Sequence, residues 1–156
     1  MTCVFRESAT ILIVDDDPTM LGVTAEILNR CGYKVLTARE GSAGLKAFEE
    51  ARNTIQLVIS DVVMPGMNGP QLVRSIKSRS PSTATLLMSG TSAVASEVGE
   101  KLISKPFTLE SLIRQVQALL ADCDFARIAQ EQSIARSERL AAIEGAKREP
   151  RSTELS

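Results

Sequence analysis

The chain is predicted to be an α/β protein, a doubly wound sheet of five parallel strands with helices on both faces. Three observations predict it. Short apolar runs rich in β-branched residues, with "ILIV" at 11–14 the clearest, recur along the chain, and unbroken runs of this kind suit strands covered on both sides. Between them lie segments whose apolar residues repeat at helical spacing, and such alternation calls for parallel strands joined by right-handed crossovers. Composition agrees: of 156 residues 44% are apolar and 24% charged, close to the average folded domain and enough to bury a core without staples.

The first strand is Ile11–Val14. Asp17 then stands as N-cap with Pro18 as first helical residue, and Met20, Val23, Thr24, Ile27, Leu28 and Cys31 recur at helical intervals as far as Gly32. Tyr33–Thr37 is the second strand, and Ser42–Ala51 the second helix, with Leu45 and Phe48 facing inward. Gln56–Ser60 is the third strand, and 69–80 a helix with Leu72, Val73 and Ile76 on one stripe. Thr85–Met88 and Lys101–Ser104 are the last two strands, and Thr108 caps a final core helix bearing Leu109, Leu112, Ile113, Val116, Leu119 and Leu120. Only about a dozen residues separate Met88 from Lys101, near the minimum for a parallel crossover. The fourth helix, between those strands, is therefore expected to be shortened.

After residue 121 the composition shifts to Ala, Glu, Gln and Arg, with Phe125, Ile128, Ile134, Leu140 and Ile143 at imperfect helical intervals. The division predicted is a domain at 9–121, a helical extension at 122–149 and a disordered polar tail at 150–156. The extension reads as a solvated helix or as a surface for self-association or partner docking.

Several function classes are excluded at once. There is no histidine, so mechanisms that need imidazole as base, nucleophile or metal ligand are ruled out. A formal charge of −1 offers no field for nucleic acid or an anionic membrane, and the tail is too short and charge-balanced for a basic recognition helix. Cys3, Cys31 and Cys123 are too far apart for a disulfide framework and read as reduced thiols. Without an apolar run of spanning length or an uninterrupted hydrophobic leader, the chain is expected in the cytoplasm.

In "LVISDVVMPGMNG", residues 57–69, an apolar strand runs straight into a carboxylate. The other strand ends resemble it: the first ends in Asp15 and Asp16, the fourth in Ser89, the fifth in Lys105. All strands of a parallel sheet point one way, so these side chains gather at its carboxyl edge, where such folds bind ligands. Three neighbouring carboxylates repel unless a cation compensates. Oxygen donors without histidine or cysteine favour a hard ion, Mg²⁺ or alternatively Mn²⁺. A carboxylate beside a divalent ion can attack phosphorus, which makes Asp61 the expected nucleophile. Lys105 would supply positive charge to the phosphoryl oxygens and Ser89 a hydroxyl.

With "ILIVDDDP", "LVISDVVMPGMNG", "LLMSG" and "ISKPF" in this order, the sequence resembles the receiver domain of two-component response regulators over residues 9–121. The resemblance implies a flavodoxin-like fold with strand order 2-1-3-4-5, and a phosphoacceptor rather than an enzyme, capable at most of self-phosphorylation from small donors and autodephosphorylation. Asp61 would be the phosphoacceptor, Asp15 and Asp16 the acidic metal pair, and the Val63 carbonyl a further ligand. Ser89 would be the switch hydroxyl and Lys105 the phosphate-binding lysine, followed by a cis proline step at Pro106. Asp17 falls outside the matched pair.

The implied partners are a histidine kinase or histidine phosphotransfer protein as donor and a downstream protein as target, with homodimerisation through the C-terminal helix as a further option. No nucleic acid or membrane is expected among them. Leu102 occupies the place where receivers usually carry an aromatic residue, and the short segment around 92–99 is similar to receivers attached to hybrid kinases, which suggests a phosphorelay. Two other readings compete. A receiver-like binding module would take no Mg²⁺-dependent label from acetyl phosphate. An aspartyl-phosphate phosphohydrolase would turn over small esters, although the position where such enzymes carry a second acid is Val63.

Overall fold

The computed structural model describes residues 9–90 and 101–147. The elements run β1 (Thr10–Val14), α1 (Pro18–Arg30), β2 (Lys34–Ala38), α2 (Gly41–Ala51), β3 (Ile55–Asp61), α3 (Gly69–Arg79), β4 (Ala84–Ser89), β5 (Leu102–Ser104) and α4 (Leu109–Lys147). All five strands pair in parallel, in the order β2-β1-β3-β4-β5. This is the flavodoxin-like sheet expected from the sequence. The short helix expected between Met88 and Lys101 and the tail at 150–156 lie outside the described residues.

The alternation of side chains along β1 explains why the sheet is covered twice. Ile11 and Ile13 point into one apolar layer with Leu57, Ile59, Leu86 and Met88, closed by Leu21 and Leu28 of α1 and Leu112 and Val116 of α4. Leu12 and Val14 point into the other with Val58, closed by Phe48 of α2 and Leu72 and Ile76 of α3. Period-two alternation on a strand buried on both faces makes every position apolar, which is why β1 reads as an unbroken hydrophobic run.

The helix ends are set locally. The Asp17 carboxylate accepts hydrogen bonds from the Thr19 and Met20 amides at 2.9 and 3.4 Å, satisfying donors left free at the start of α1. At its other end the Gly32 amide donates to the Asn29 carbonyl and the Tyr33 amide to that of Leu28, with Gly32 at φ 89°, a left-handed C-terminal closure. Because Tyr33 spends its amide on that closure, β2 begins at Lys34, one residue later than its sequence suggests. Asn68 and Gln71 bond reciprocally at the start of α3, as do Thr108 and Ser111 at the start of α4.

Two compact units divide the chain at 1–123 and 124–156. At the end of the first, the Cys123 thiol donates to the Ser82 carbonyl at 2.8 Å. In the second, α4 continues to Lys147, with Ile128, Ile134, Leu140 and Ile143 each about half exposed. At about 100° per residue, Ile128, Leu140 and Ile143 share one side and Ile134 lies opposite. Among the described residues no helix is long and apolar enough to cross a membrane.

Candidate functional site at the carboxyl edge of the sheet

β1 delivers Asp15 and Asp16 immediately past its last residue, and β3 ends on Asp61. Carboxylate oxygens of these three residues lie within 4.8 Å of one another. Asp15 is fully buried; its backbone amide donates to the Ala38 carbonyl, and its carboxylate accepts from the Asp17 amide at 3.0 Å. Asp17 is turned to its cap and is not among the three clustered acids.

Lys105 reaches the cluster from beyond β5. Its ammonium stands 3.3 Å from Asp15 Oδ2 and 3.4 Å from Asp61 Oδ2. The amide of Lys105 donates to the Ser89 carbonyl at 2.7 Å, which ties the ends of β4 and β5 together, and the following peptide bond to Pro106 is cis. Ser89 closes β4, one residue beyond Met88, the pairing partner of Asp61, and is buried. Five of the six residues singled out from the sequence therefore sit at the ends of their strands on one edge. The sixth, Val63, lies two residues past Asp61 with its side chain 72% exposed, and its amide hydrogen-bonds the Asp61 carboxylate.

The electrostatics are those of an under-compensated acidic site. Burial is the largest influence on Asp61 and pushes its carboxyl above the ordinary 3.8; the Lys105 charge and hydrogen bond pull it down, and the neighbouring Asp15 raises it again. Among the described residues, the Lys105 ammonium pairs with two of the three clustered carboxylates, Asp15 and Asp61. All the acidic donors are oxygens at ligand spacing, a set that suits a hard divalent cation of the Mg²⁺ type.

A match to the response regulator receiver domain extends over residues 11–117. The chain belongs to that family. It is 28% identical over 120 residues to the probable transcriptional regulatory protein TcrX of Mycobacterium tuberculosis, covering 73% of this chain and 50% of that protein. To the sensor kinase CckA of Brucella abortus it is 32% identical over 123 residues, covering 75% of this chain and 13% of the kinase. Among solved structures, a response regulator receiver domain protein from Clostridium thermocellum superposes with a TM-score of 0.70 at 29% identity, covering 76% of this receiver and 98% of that chain. The chain spans about half or less of the length of these curated relatives.

Two features of this region were not singled out from the sequence. Gly41 and Gly69 place backbone directly against the segment that follows Asp61. Their types are legible in the sequence, but the close approach arises only when α2 and α3 are packed on the sheet. A groove of about 460 Å³ between α1 and α4, lined by Val23, Ile27, Leu109 and Ile113 among others, shares no residue with the carboxylate cluster.

Proposed function

We propose that this receiver accepts a phosphoryl group on Asp61 from the histidine of a kinase or phosphotransfer protein and changes its surface to signal through protein contacts. The observation that carries the reading is the meeting of Asp15, Asp16 and Asp61 within 4.8 Å, with the Lys105 ammonium on two of them. No histidine occurs in these 156 residues, so the donor histidine lies outside them.

Asp15, Asp16, Asp61 and the Val63 carbonyl would hold Mg²⁺ or Mn²⁺. When bound, the ion neutralises charge on the phosphoryl group being transferred. Asp61, held at the end of β3, supplies the attacking oxygen: its bond to phosphorus forms as the donor's phosphorus–nitrogen bond breaks. Lys105, already aimed at the Asp61 carboxylate, neutralises the phosphoryl oxygens, and the Ser89 hydroxyl bonds one of them after transfer. A shift of Ser89 at the end of β4 then biases a two-state surface. The same site would take phosphate from small donors and lose it to water, without further catalysis.

A cytoplasmic location and a place in a phosphorelay belong to the same proposal. The exposed apolar residues Ile128, Ile134, Leu140 and Ile143 support a second role for α4 as a contact between two copies. Incubation with acetyl phosphate and Mg²⁺ tests the central reading: one phosphate per chain, lost in Asp61→Asn, is expected, whereas a chain that takes no label, or an Asp61→Asn variant that still takes it, refutes it.

A further inference from the structure

Two helices approach the loop after Asp61 more closely than a side chain allows. A Cβ built on Gly41, the first residue of α2, falls 2.4 Å from the Met67 carbonyl oxygen and 2.7 and 2.9 Å from Met67 Cβ and Cγ. One built on Gly69, the first residue of α3, falls 2.3 Å from the Asp61 carbonyl oxygen. Real Cβ contacts essentially never fall below 3.0 Å, and in both cases the obstacle is backbone, which cannot swing aside as a side-chain tip can.

The helix is the less yielding partner. α2 is seated by fully buried Phe48, and its Gly44 packs against Val14, the residue before Asp15. Retreat would therefore open the core. The loop is one strand of chain over an exposed Val63, held at its ends by hydrogen bonds from the Val62 amide to the Met88 carbonyl and from the Gly69 amide to the Val62 carbonyl. Between those ends, buried Met64 seats the loop in the layer with Phe48, Leu72 and Ile76, and Met67, resting on Gly41, supports the stretch that runs on to Gly69.

We propose that Gly41 is a positioning residue for phosphoryl transfer: through Met67 it sets the loop that carries Val63 and leads back to Asp61, with Gly69 holding the same loop from the other side. The proposal rests on Asp61 being the acceptor. A methyl group at position 41 must open 2.4 Å to at least 3.0 Å, a displacement of about 0.6 Å. Reacting groups need placement within about 0.5 Å, and about 1 Å of error can cost 10²-fold. Gly41→Ala should therefore lower the labelling rate about tenfold at saturating Mg²⁺, and raise the Mg²⁺ concentration for half-maximal labelling because the Val63 carbonyl moves with the loop.

The test compares full-length wild type, Gly41→Ala, Met67→Ala and Gly22→Ala, the last at a helix position with nothing within 4 Å of the added methyl. Three quantities are read: acetyl phosphate labelling over a Mg²⁺ series, the amide NMR shifts of Val62, Val63 and Asn68 in metal-free protein, and the thermal midpoint. Expected are moved loop amides and slowed labelling in Gly41→Ala, with Gly22→Ala unchanged in both. A folded Gly41→Ala chain with wild-type labelling overturns the proposal, even if its midpoint is lower, since that would be a purely structural effect. Should Gly41→Ala fail to fold, Met67→Ala, which withdraws the side chain resting on Gly41, decides the matter: slowed labelling supports the proposal and wild-type labelling overturns it. If wild type itself takes no label, the phosphoacceptor reading falls separately, and unmoved loop amides in Gly41→Ala remain the result that defeats the positioning role.

Discussion

Lys105 Nζ bridges two carboxylates far apart in sequence, at 3.3 Å from Asp15 Oδ2 and 3.4 Å from Asp61 Oδ2, with the Asp15 side chain fully buried and the lysine 20% exposed. Removing the ammonium leaves a buried acid without its cationic partner. Lys105→Ala should cost about 2 kcal/mol of metal-free stability at neutral pH, the scale of a lost charged hydrogen bond, as read by urea unfolding. Its labelling rate should fall about 10²-fold, with a much smaller change in Mg²⁺ affinity. Equal losses in labelling and in Mg²⁺ affinity would contradict the role given to Lys105.

Asp61 gives a prediction whose sign depends on pH. Its carboxyl is raised above 3.8, chiefly by burial and then by Asp15, against the pull of Lys105. The fold therefore favours the protonated form. The stability this contributes is fully present below the unfolded value and is lost as pH rises through the folded one. At neutral pH without metal, ionised Asp61 is a net cost, so Asp61→Asn should unfold at higher temperature than wild type, with the gap closing as pH falls below 3.8. Mg²⁺ should raise the wild-type midpoint more than that of the variant. A metal-free variant less stable than wild type at neutral pH would show that the carboxylate is well compensated without an ion.

Thr24 is fully buried on α1, and among the described residues its hydroxyl has no hydrogen-bond partner. Replacing such a group by an apolar one of the same shape removes a desolvation cost. Thr24→Val should be neutral or stabilising by up to about 1 kcal/mol, measured by thermal or urea unfolding, and should leave labelling unchanged. A loss above about 1 kcal/mol would mean that the hydroxyl is hydrogen-bonded in solution.

Much of this was legible in the sequence because the signals are local. The unbroken run of β1, the Asp17-Pro18 start of α1 and the Gly32 stop each state their structure within a few residues. The strand-end residues could be assembled on one edge because a parallel sheet aligns its strand ends. What escaped was tertiary. The amide of Tyr33 goes to the end of α1, which shifts β2 by one residue. Nothing in the types of Gly41 and Gly69 tells which backbone they will meet. Thr24 fits the helical stripe by position, and only packing shows that its hydroxyl lacks a partner among the described residues.

The second unit carries a separable prediction. A chain ended at Cys123 keeps every residue of the carboxylate cluster and both apolar layers, so it should fold and label at the wild-type rate. Light scattering on the full and shortened chains, with and without beryllofluoride, checks the proposed contact between copies. The full chain is expected to dimerise and the shortened one to stay monomeric; a monomeric full chain under both conditions removes the dimer from the account.

Mass-spectrometric mapping of phosphate after acetyl phosphate treatment, with and without Mg²⁺, addresses the central claim most directly. One phosphate on Asp61, dependent on Mg²⁺ and missing from Asp61→Asn, is the predicted result. Phosphate on another residue, or none on a folded chain at saturating Mg²⁺, would contradict it.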